Sequence, residues 1–149
     1  MIKEINFETI LPIWRDNLWQ KRESPIETHS AMLHFYTEYD SGNFLLPVWY
    51  YGYYVNKDLV GVNSAHLCVD ESVRSRGLWV HPDFRGNGYG KYLLMAAIDK
   101  ASDVNVKSIW SFPRRTSWPT YKSVGFELTS DWMQSETSIA NAYCFMKLD

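Results

Sequence analysis

The segment Val80-His81-Pro82-Asp83-Phe84-Arg85-Gly86-Asn87-Gly88-Tyr89-Gly90 sets three glycines at alternate positions behind an arginine. Residues without a Cβ let the backbone take positive φ and approach a ligand closely. Just after them, Leu94, Ala97, Ile98 and Ala101 fall at i, i+3, i+4 and i+7, which predicts an amphipathic helix over Lys91 to Ala101. A strand, a sharp glycine turn and a helix aim several N–H groups and a positive dipole end at one point, the arrangement that holds phosphate. Arg85 adds a permanent charge beside it. A P-loop would need Gly where Arg85 stands and Ser or Thr where Tyr92 follows Lys91, so that motif fails. The spacing is G-x-G-x-G rather than the G-x-G-x-x-G of a dinucleotide fingerprint.

The elements around this turn follow from periodicity. Ile10, Ile13, Trp14 and Leu18 suggest a helix over about Thr9 to Gln20. Ser24-Pro25-Ile26-Glu27 reads as a capping box with Pro at the first helical position, predicting a second helix from Pro25 to about Tyr39. Val48 to Val55 and Leu59 to Val69 are rich in Val and aromatics, and the Asn56-Lys57-Asp58 between them offers hairpin chemistry. Asp70 to Ser75 is polar and reads as a connection, with a short strand over Arg76 to Val80 stopped by His81-Pro82. A strand over Ser108 to Phe112, a short helix from Ser117 through Val124 ended by Gly125, and strands near Phe126 to Leu128 and Ala142 to Leu148 complete the order. Helices and strands in this order make a mixed α/β sheet with helices on both faces, and residues 1–149 read as one domain.

Composition narrows the partners. Fifteen Lys and Arg against 17 Asp and Glu give a formal charge of −2, which is no footprint for nucleic acid or an anionic membrane. The start of the chain lacks the pattern of a secretory leader, and no apolar run is long enough to span a bilayer, so a cytoplasmic protein is expected. Cys68 and Cys144 lack metal-ligand spacing and read as reduced, buried hydrophobes, so no metal site is expected. Seven Trp, ten Tyr and seven Phe fit either a bulky core or a ligand cleft, and Trp49 to Tyr54 reads mostly as core and surface.

The glycine segment resembles the acetyl-CoA loop of the GNAT N-acetyltransferase superfamily, whose pattern is V-x-P, a short loop, then R-x-x-G-x-G opening a helix. Val80, Pro82, Arg85, Gly88 and Gly90 stand at those places. Tyr121-Lys122-Ser123-Val124-Gly125-Phe126 is similar to the family's Y-x-x-x-G-F. The resemblance covers about Val48 to Phe126 and is weakest in the first 45 and last 20 residues, the parts that choose the acceptor. It implies a mixed, mostly antiparallel twisted sheet in which a splayed strand pair holds acetyl-CoA. It implies cofactor contacts from Leu78, Trp79 and Val80 on the splayed strand, and from Arg85, Gly86, Asn87, Gly88, Tyr89, Gly90 and Lys91 at the helix mouth. Gly77 is placed to mark a bulge that helps the strands part.

The activity so implied is direct transfer of the acetyl group to an amine of a small molecule or protein, in a ternary complex without an enzyme acyl intermediate. Tyr121 matches the family's proton donor to the departing thiolate, and Leu78 to Val80 match its oxyanion-stabilising backbone. For the base that takes the amine's proton, His66, Asp70 and Glu71 are candidates, with none preferred. Arg76-Gly77 and Arg115-Thr116-Ser117 are similar to stretches that hold carboxylate or phosphonate in relatives acting on small amino acids. With Arg22, and with Arg114 as an alternative to Arg115, they are the candidate acceptor contacts. A non-catalytic acyl-CoA sensor of the same fold is the alternative, and a homodimer stays open.

Overall fold

Asn6 begins the ordered architecture by capping a helix: its side chain accepts from the Thr9 amide at 2.9 Å, so α1 runs Phe7–Asn17, two residues earlier than periodicity alone indicated. Before it lies β1 (Ile2–Ile5), too short and too polar at Lys3 and Glu4 to stand out in the sequence. The computed structural model describes residues 1–23, 25–28, 45–133 and 140–149. Pro25, Ile26, Glu27 and Thr28 are not helical, so the helix expected from Pro25 does not begin there. The Pro25 carbonyl accepts instead from the Arg22 guanidinium at 3.2 Å. Ser24 and the rest of that expected helix lie outside the described residues.

The strands β2 (Val48–Val55) and β3 (Asp58–Cys68) form the expected hairpin, with Asn56 at φ +56° in its turn. The next strand, β4, spans Ser72–Val80, so most of the polar stretch taken as a connection is strand. The turn itself is narrower, at Val69 to Glu71, with Glu71 at φ +59°. Ser72 to Ser75 misled because its polar residues are buried: Val73 points to one core and Arg74 packs on Trp110 from the other face. Helix α2 (Tyr89–Asp103), β5 (Ser108–Ser111), α3 (Trp118–Ser123), β6 (Glu127–Leu128) and β7 (Cys144–Lys147) follow. Ser117 stands at the N-cap of α3 without a side-chain cap bond, since a 3-10 turn over Arg115–Ser117 leads into the helix.

The seven strands lie in the order β1-β2-β3-β4-β5-β7-β6, with β4 and β5 the parallel pair and the other described pairings antiparallel. Helices cover both faces, as expected. Ile10 and Trp14 of α1 pack with Tyr50 and Val62 on one face, while Leu93, Leu94, Ala97 and Ala101 of α2 and Tyr121 of α3 pack with Ala65, Val73 and Ile109 on the other. Of the aromatic run, Tyr50 and Tyr51 are buried and Tyr53 stacks on Tyr89 at 4.2 Å. Trp49 lies under Lys100 and Tyr54 under Lys3.

Candidate active site

Two features of β4 open the sheet at its centre. Against β3 the register shifts: Val62 faces Trp79 and Ser64 faces Arg76, so Asn63 alone opposes Gly77 and Leu78. Gly77 takes φ +77°, and a Cβ there would fall inside the Trp14 indole, 2.6 Å from Cζ2. The expected bulge is therefore present, and Trp14 fixes it by donating from Nε1 to the Gly77 carbonyl at 2.8 Å. Against β5, the ladder pairs Ser72, Val73 and Arg74 with Ser108, Ile109 and Trp110 and then stops. From Arg76 to Val80, β4 pairs with β3, and its other edge carries no strand among the described residues.

The fork between β4 and β5 is held by buried hydroxyls and an amide that the apolar pattern gave no reason to single out. Ser111 Oγ donates to the Ser75 carbonyl at 2.6 Å, and Asn63 Nδ2 donates to Ser75 Oγ at 3.0 Å and to the Leu93 carbonyl at 3.2 Å. Small polar residues in strands that otherwise read apolar were the available signal. Tyr121 reaches the same point from α3, its hydroxyl 3.5 Å from Ser111 Oγ and its ring tilted against Phe126. Only 2% of Tyr121 is exposed. Burial pushes its hydroxyl well above the ordinary tyrosine range, with the Ser111 hydrogen bond pulling weakly the other way. It therefore stays protonated throughout the neutral range.

At the far end of β4, the glycine turn presents bare backbone. Gly86 and Gly88 both take φ +82°, and Gly88 caps α2 in the left-handed conformation. The first bond of the helix runs from the Tyr92 amide to the Gly88 carbonyl at 3.1 Å. The six amides from Gly86 to Lys91 donate to no group among the described residues. A Cβ on Gly86 would meet nothing within 4 Å, so this side of the turn is open. Arg85 ties the turn to the strand end by donating from Nε to the Val80 carbonyl at 2.8 Å, and Asn87 Nδ2 donates to the Phe84 carbonyl at 3.0 Å. N–H groups without a partner among the described residues, at the mouth of a fifteen-residue helix, fit an anion such as the diphosphate of a coenzyme A ester.

The candidate acceptor contacts separate. Arg76 is buried against Trp14 and Trp19, its guanidinium 5.5 and 4.5 Å from their rings, and Arg22 is one of the charges that bear on it. Burial, then the charges of Arg74 and Arg22, push Arg76 down to about 9, so it remains a cation at neutral pH. Arg115 is exposed, with its guanidinium over Trp132. It is Arg114 whose guanidinium turns inward, donating to the Leu18 carbonyl at the end of α1. Of the candidate bases, His66 is buried with Nδ1 2.7 Å from the Leu67 carbonyl. Asp70 accepts from the Ser72 hydroxyl and Glu71 pairs with Lys107 at 3.1 Å, both at the end of β4 away from the glycine turn. Cys68 and Cys144 are buried, and burial pushes their thiols up to about 11 and about 12, which leaves too little thiolate for a nucleophile.

Solved structures share this architecture. A Lactobacillus plantarum protein assigned as an N-acetyltransferase superposes with a TM-score of 0.69 at 17% identity, over 99% of this chain and 98% of that one. The IAA acetyltransferase of Bacillus cereus ATCC 14579 does so with a TM-score of 0.69 at 14% identity, over 99% of each. A Bacillus anthracis protein assigned as a streptothricin acetyltransferase, solved in complex with acetyl coenzyme A, matches with a TM-score of 0.61 at 16% identity, over 68% of this chain and 64% of that one. No curated protein sequence matches significantly. A mixed sheet that opens between two parallel strands, with a glycine turn at the helix beside the opening, is thus an acetyltransferase fold. The model of the acetyltransferase (GNAT) family matches residues 11–126, and the chain belongs to that family. No helix among the described residues is long and apolar enough to cross a membrane.

Proposed function

We propose that the chain is a single N-acetyltransferase domain that moves the acetyl group of acetyl-CoA directly to an amine in a ternary complex. The observation that carries this reading is the fork: the β4–β5 ladder ends at Arg74 and Trp110, while six unpaired amides stand at the mouth of α2 beside the end of β4. The amides of Gly86 to Lys91, with Arg85, hold the diphosphate. The open edge of Leu78, Trp79 and Val80 aligns the pantetheine arm and supplies N–H groups toward the thioester oxygen, where negative charge develops only as the carbon becomes tetrahedral.

The acceptor nitrogen forms a bond to the acyl carbon, and the carbon–sulfur bond breaks. Tyr121 gives its proton to the departing thiolate, and the proton shed by the amine returns to the tyrosinate through water. Holding both substrates at the fork supplies the approach that would otherwise require a bimolecular encounter. Neither buried cysteine takes part, in keeping with their raised thiol pKa values.

Acetyl-CoA added to the purified chain should raise its melting temperature, and a panel of amines should produce coenzyme A thiol that reacts with a chromogenic disulfide. Absence of stabilisation at millimolar acetyl-CoA would falsify the reading. Stabilisation without thiol release across amino acids, polyamines, aminoglycosides and peptides would instead make the chain an acyl-CoA sensor.

A further inference from the structure

We propose that Ser111 is a positioning residue for the proton donor: its hydroxyl turns from the Ser75 carbonyl to the Tyr121 oxygen as that oxygen becomes a phenolate. The inference rests on the acetyl-transfer reading and adds a residue to its proton step. A buried phenol releases a proton readily only if something holds the anion left behind, because burial disfavours the charged form. With 2% of Tyr121 exposed, that holding falls largely to the protein.

Ser111 Oγ lies 3.5 Å from the Tyr121 oxygen and donates to the Ser75 carbonyl at 2.6 Å. A hydroxyl carries one proton, which swings about the Cβ–Oγ bond without moving a heavy atom. Beside a neutral phenol the nearer peptide carbonyl keeps that proton. Beside a phenolate the preference reverses, since a hydrogen bond to an ion is roughly twice as strong as one between neutral groups. A separation of 3.5 Å suits a contact that tightens only when charge develops. The Ser111 and Ser75 hydroxyls both draw the Tyr121 hydroxyl down against its burial; Arg74 on β4 also lowers it, and Cys144 on β7 raises it.

Buried neighbours hold the first acceptor in place. Ser75 Oγ donates to Asn63 Oδ1 at 3.1 Å, and Asn63 Nδ2 donates to the Leu93 carbonyl on α2 at 3.2 Å. Asn63, the residue opposite the bulge, and Ser75 are both fully buried. The β4–β5 ladder ends at Arg74 and Trp110, and one position on the Ser111 side chain makes the contact to Ser75. The hydroxyl that moves therefore sits where the sheet parts. In the step itself the Tyr121 O–H bond breaks as the S–H bond of coenzyme A forms. Negative charge passes from sulfur to the phenolic oxygen, and Ser111 exchanges one hydrogen bond for another. When the proton shed by the amine reaches the phenolate, Ser111 returns to Ser75.

The test has a turnover arm and a titration arm. Ser111→Ala removes the hydroxyl and Ser111→Thr keeps it; Ser111→Cys, a weak donor, replaces the Ala variant in both arms if that one fails to fold. With an amine that releases thiol, Ser111→Ala should lower kcat about tenfold and leave the KM for acetyl-CoA in place, while Ser111→Thr stays within about threefold of wild type. In a Tyr121→Phe background the Ser111→Ala change should lower kcat no further, since the serine acts through the phenol. An equal loss in both backgrounds, the mark of a purely structural serine, overturns the proposal, as does wild-type kcat in Ser111→Ala. For the titration arm, difluorotyrosine is placed at position 121, where ring fluorination brings ionisation into a milder pH range, and its fluorine NMR signal is followed with pH in the free chain. Ser111→Ala should lower the ionisation constant about tenfold. An unchanged midpoint overturns the proposal while the acetyltransferase reading stands. If no amine releases thiol, that reading falls, and the titration judges the serine alone.

Discussion

Replacing Gly86 by Ala separates what the glycine turn does for the fold from what it does for the ligand. Gly86 holds φ +82°, and its missing Cβ would meet nothing within 4 Å, so the substitution brings backbone strain and no clash. A left-handed L-residue costs about 1–2 kcal/mol. In a chain of this length each kcal/mol moves the melting temperature by roughly 2–4 °C, so a fall of about 2–8 °C is expected. Relaxing that strain turns the amides of Gly86 to Gly88 out of their shared direction. Loss of one charge-assisted hydrogen bond, about 1.5–3 kcal/mol, weakens coenzyme A binding roughly 10- to 100-fold. Gly90 is the control. It has no positive φ, and a Cβ there would sit at ordinary contact distance from Thr120 and Val80, 3.5 and 3.7 Å away, on the inner side of the helix. Gly90→Ala should keep the melting temperature or raise it, as Ala does in a helix, and should bind coenzyme A like the wild type. Calorimetric titration of both variants decides the matter. Wild-type affinity in Gly86→Ala refutes the assignment of the diphosphate to these amides.

Two further outcomes follow from the fork. Tyr121→Phe keeps the buried ring against Phe126 and removes only a 3.5 Å contact to Ser111, so the melting temperature should hold within about 2 °C while kcat falls by about 100-fold, the low end for a general acid; because burial holds that hydroxyl protonated beyond the ordinary tyrosine range, wild-type kcat should show no tyrosine-dependent fall up to pH 10, and a limb below pH 9 removed by Tyr121→Phe would contradict the role. Gly77→Ala drives a methyl into Trp14 at φ +77° and should cost about 3 kcal/mol or more, seen as a fall of roughly 6–12 °C in thermal denaturation, with an unchanged melting temperature refuting the packing described.

The fold was legible where a single face or a single turn dictated the pattern. The β2–β3 hairpin, α2 and the glycine turn each have a periodicity or a backbone requirement that few alternatives satisfy. Legibility failed where burial contradicted polarity. Ser72 to Ser75 looks like a connection because its serines and Arg74 are polar, yet hydrogen bonds from Asn63 and Ser111 and the Trp110 ring make them core residues. The candidate site divides in the same way. The open amides of the turn are encoded locally by glycines, whereas the surroundings of the candidate acceptor contacts are assembled from α1 and β4, whose meeting no local pattern predicts. That is why adjacent Arg114 and Arg115 could not be told apart until one was seen turned to Leu18 and the other to Trp132.

One residue of α1 joins the two halves of the site. Trp14 donates to the Gly77 carbonyl at 2.8 Å, which fixes the bulge, and its ring also lies 5.5 Å from the Arg76 guanidinium. The bulge lies at the start of the open edge of Leu78 to Val80, so on the proposed reading one indole would position the acyl-donor edge and border the candidate acceptor contact Arg76. Its Nε1–H has an acceptor already, and its ring packs with Tyr50 and Trp19, so these contacts hold it in one orientation. Phe in its place would keep part of the packing and lose the hydrogen bond to Gly77, freeing a bulge that the glycine's own flexibility cannot hold. If the proposed donor and acceptor contacts hold, a change at Trp14 should disturb both Michaelis constants together, whereas changes at Gly86 or Arg76 should each disturb one.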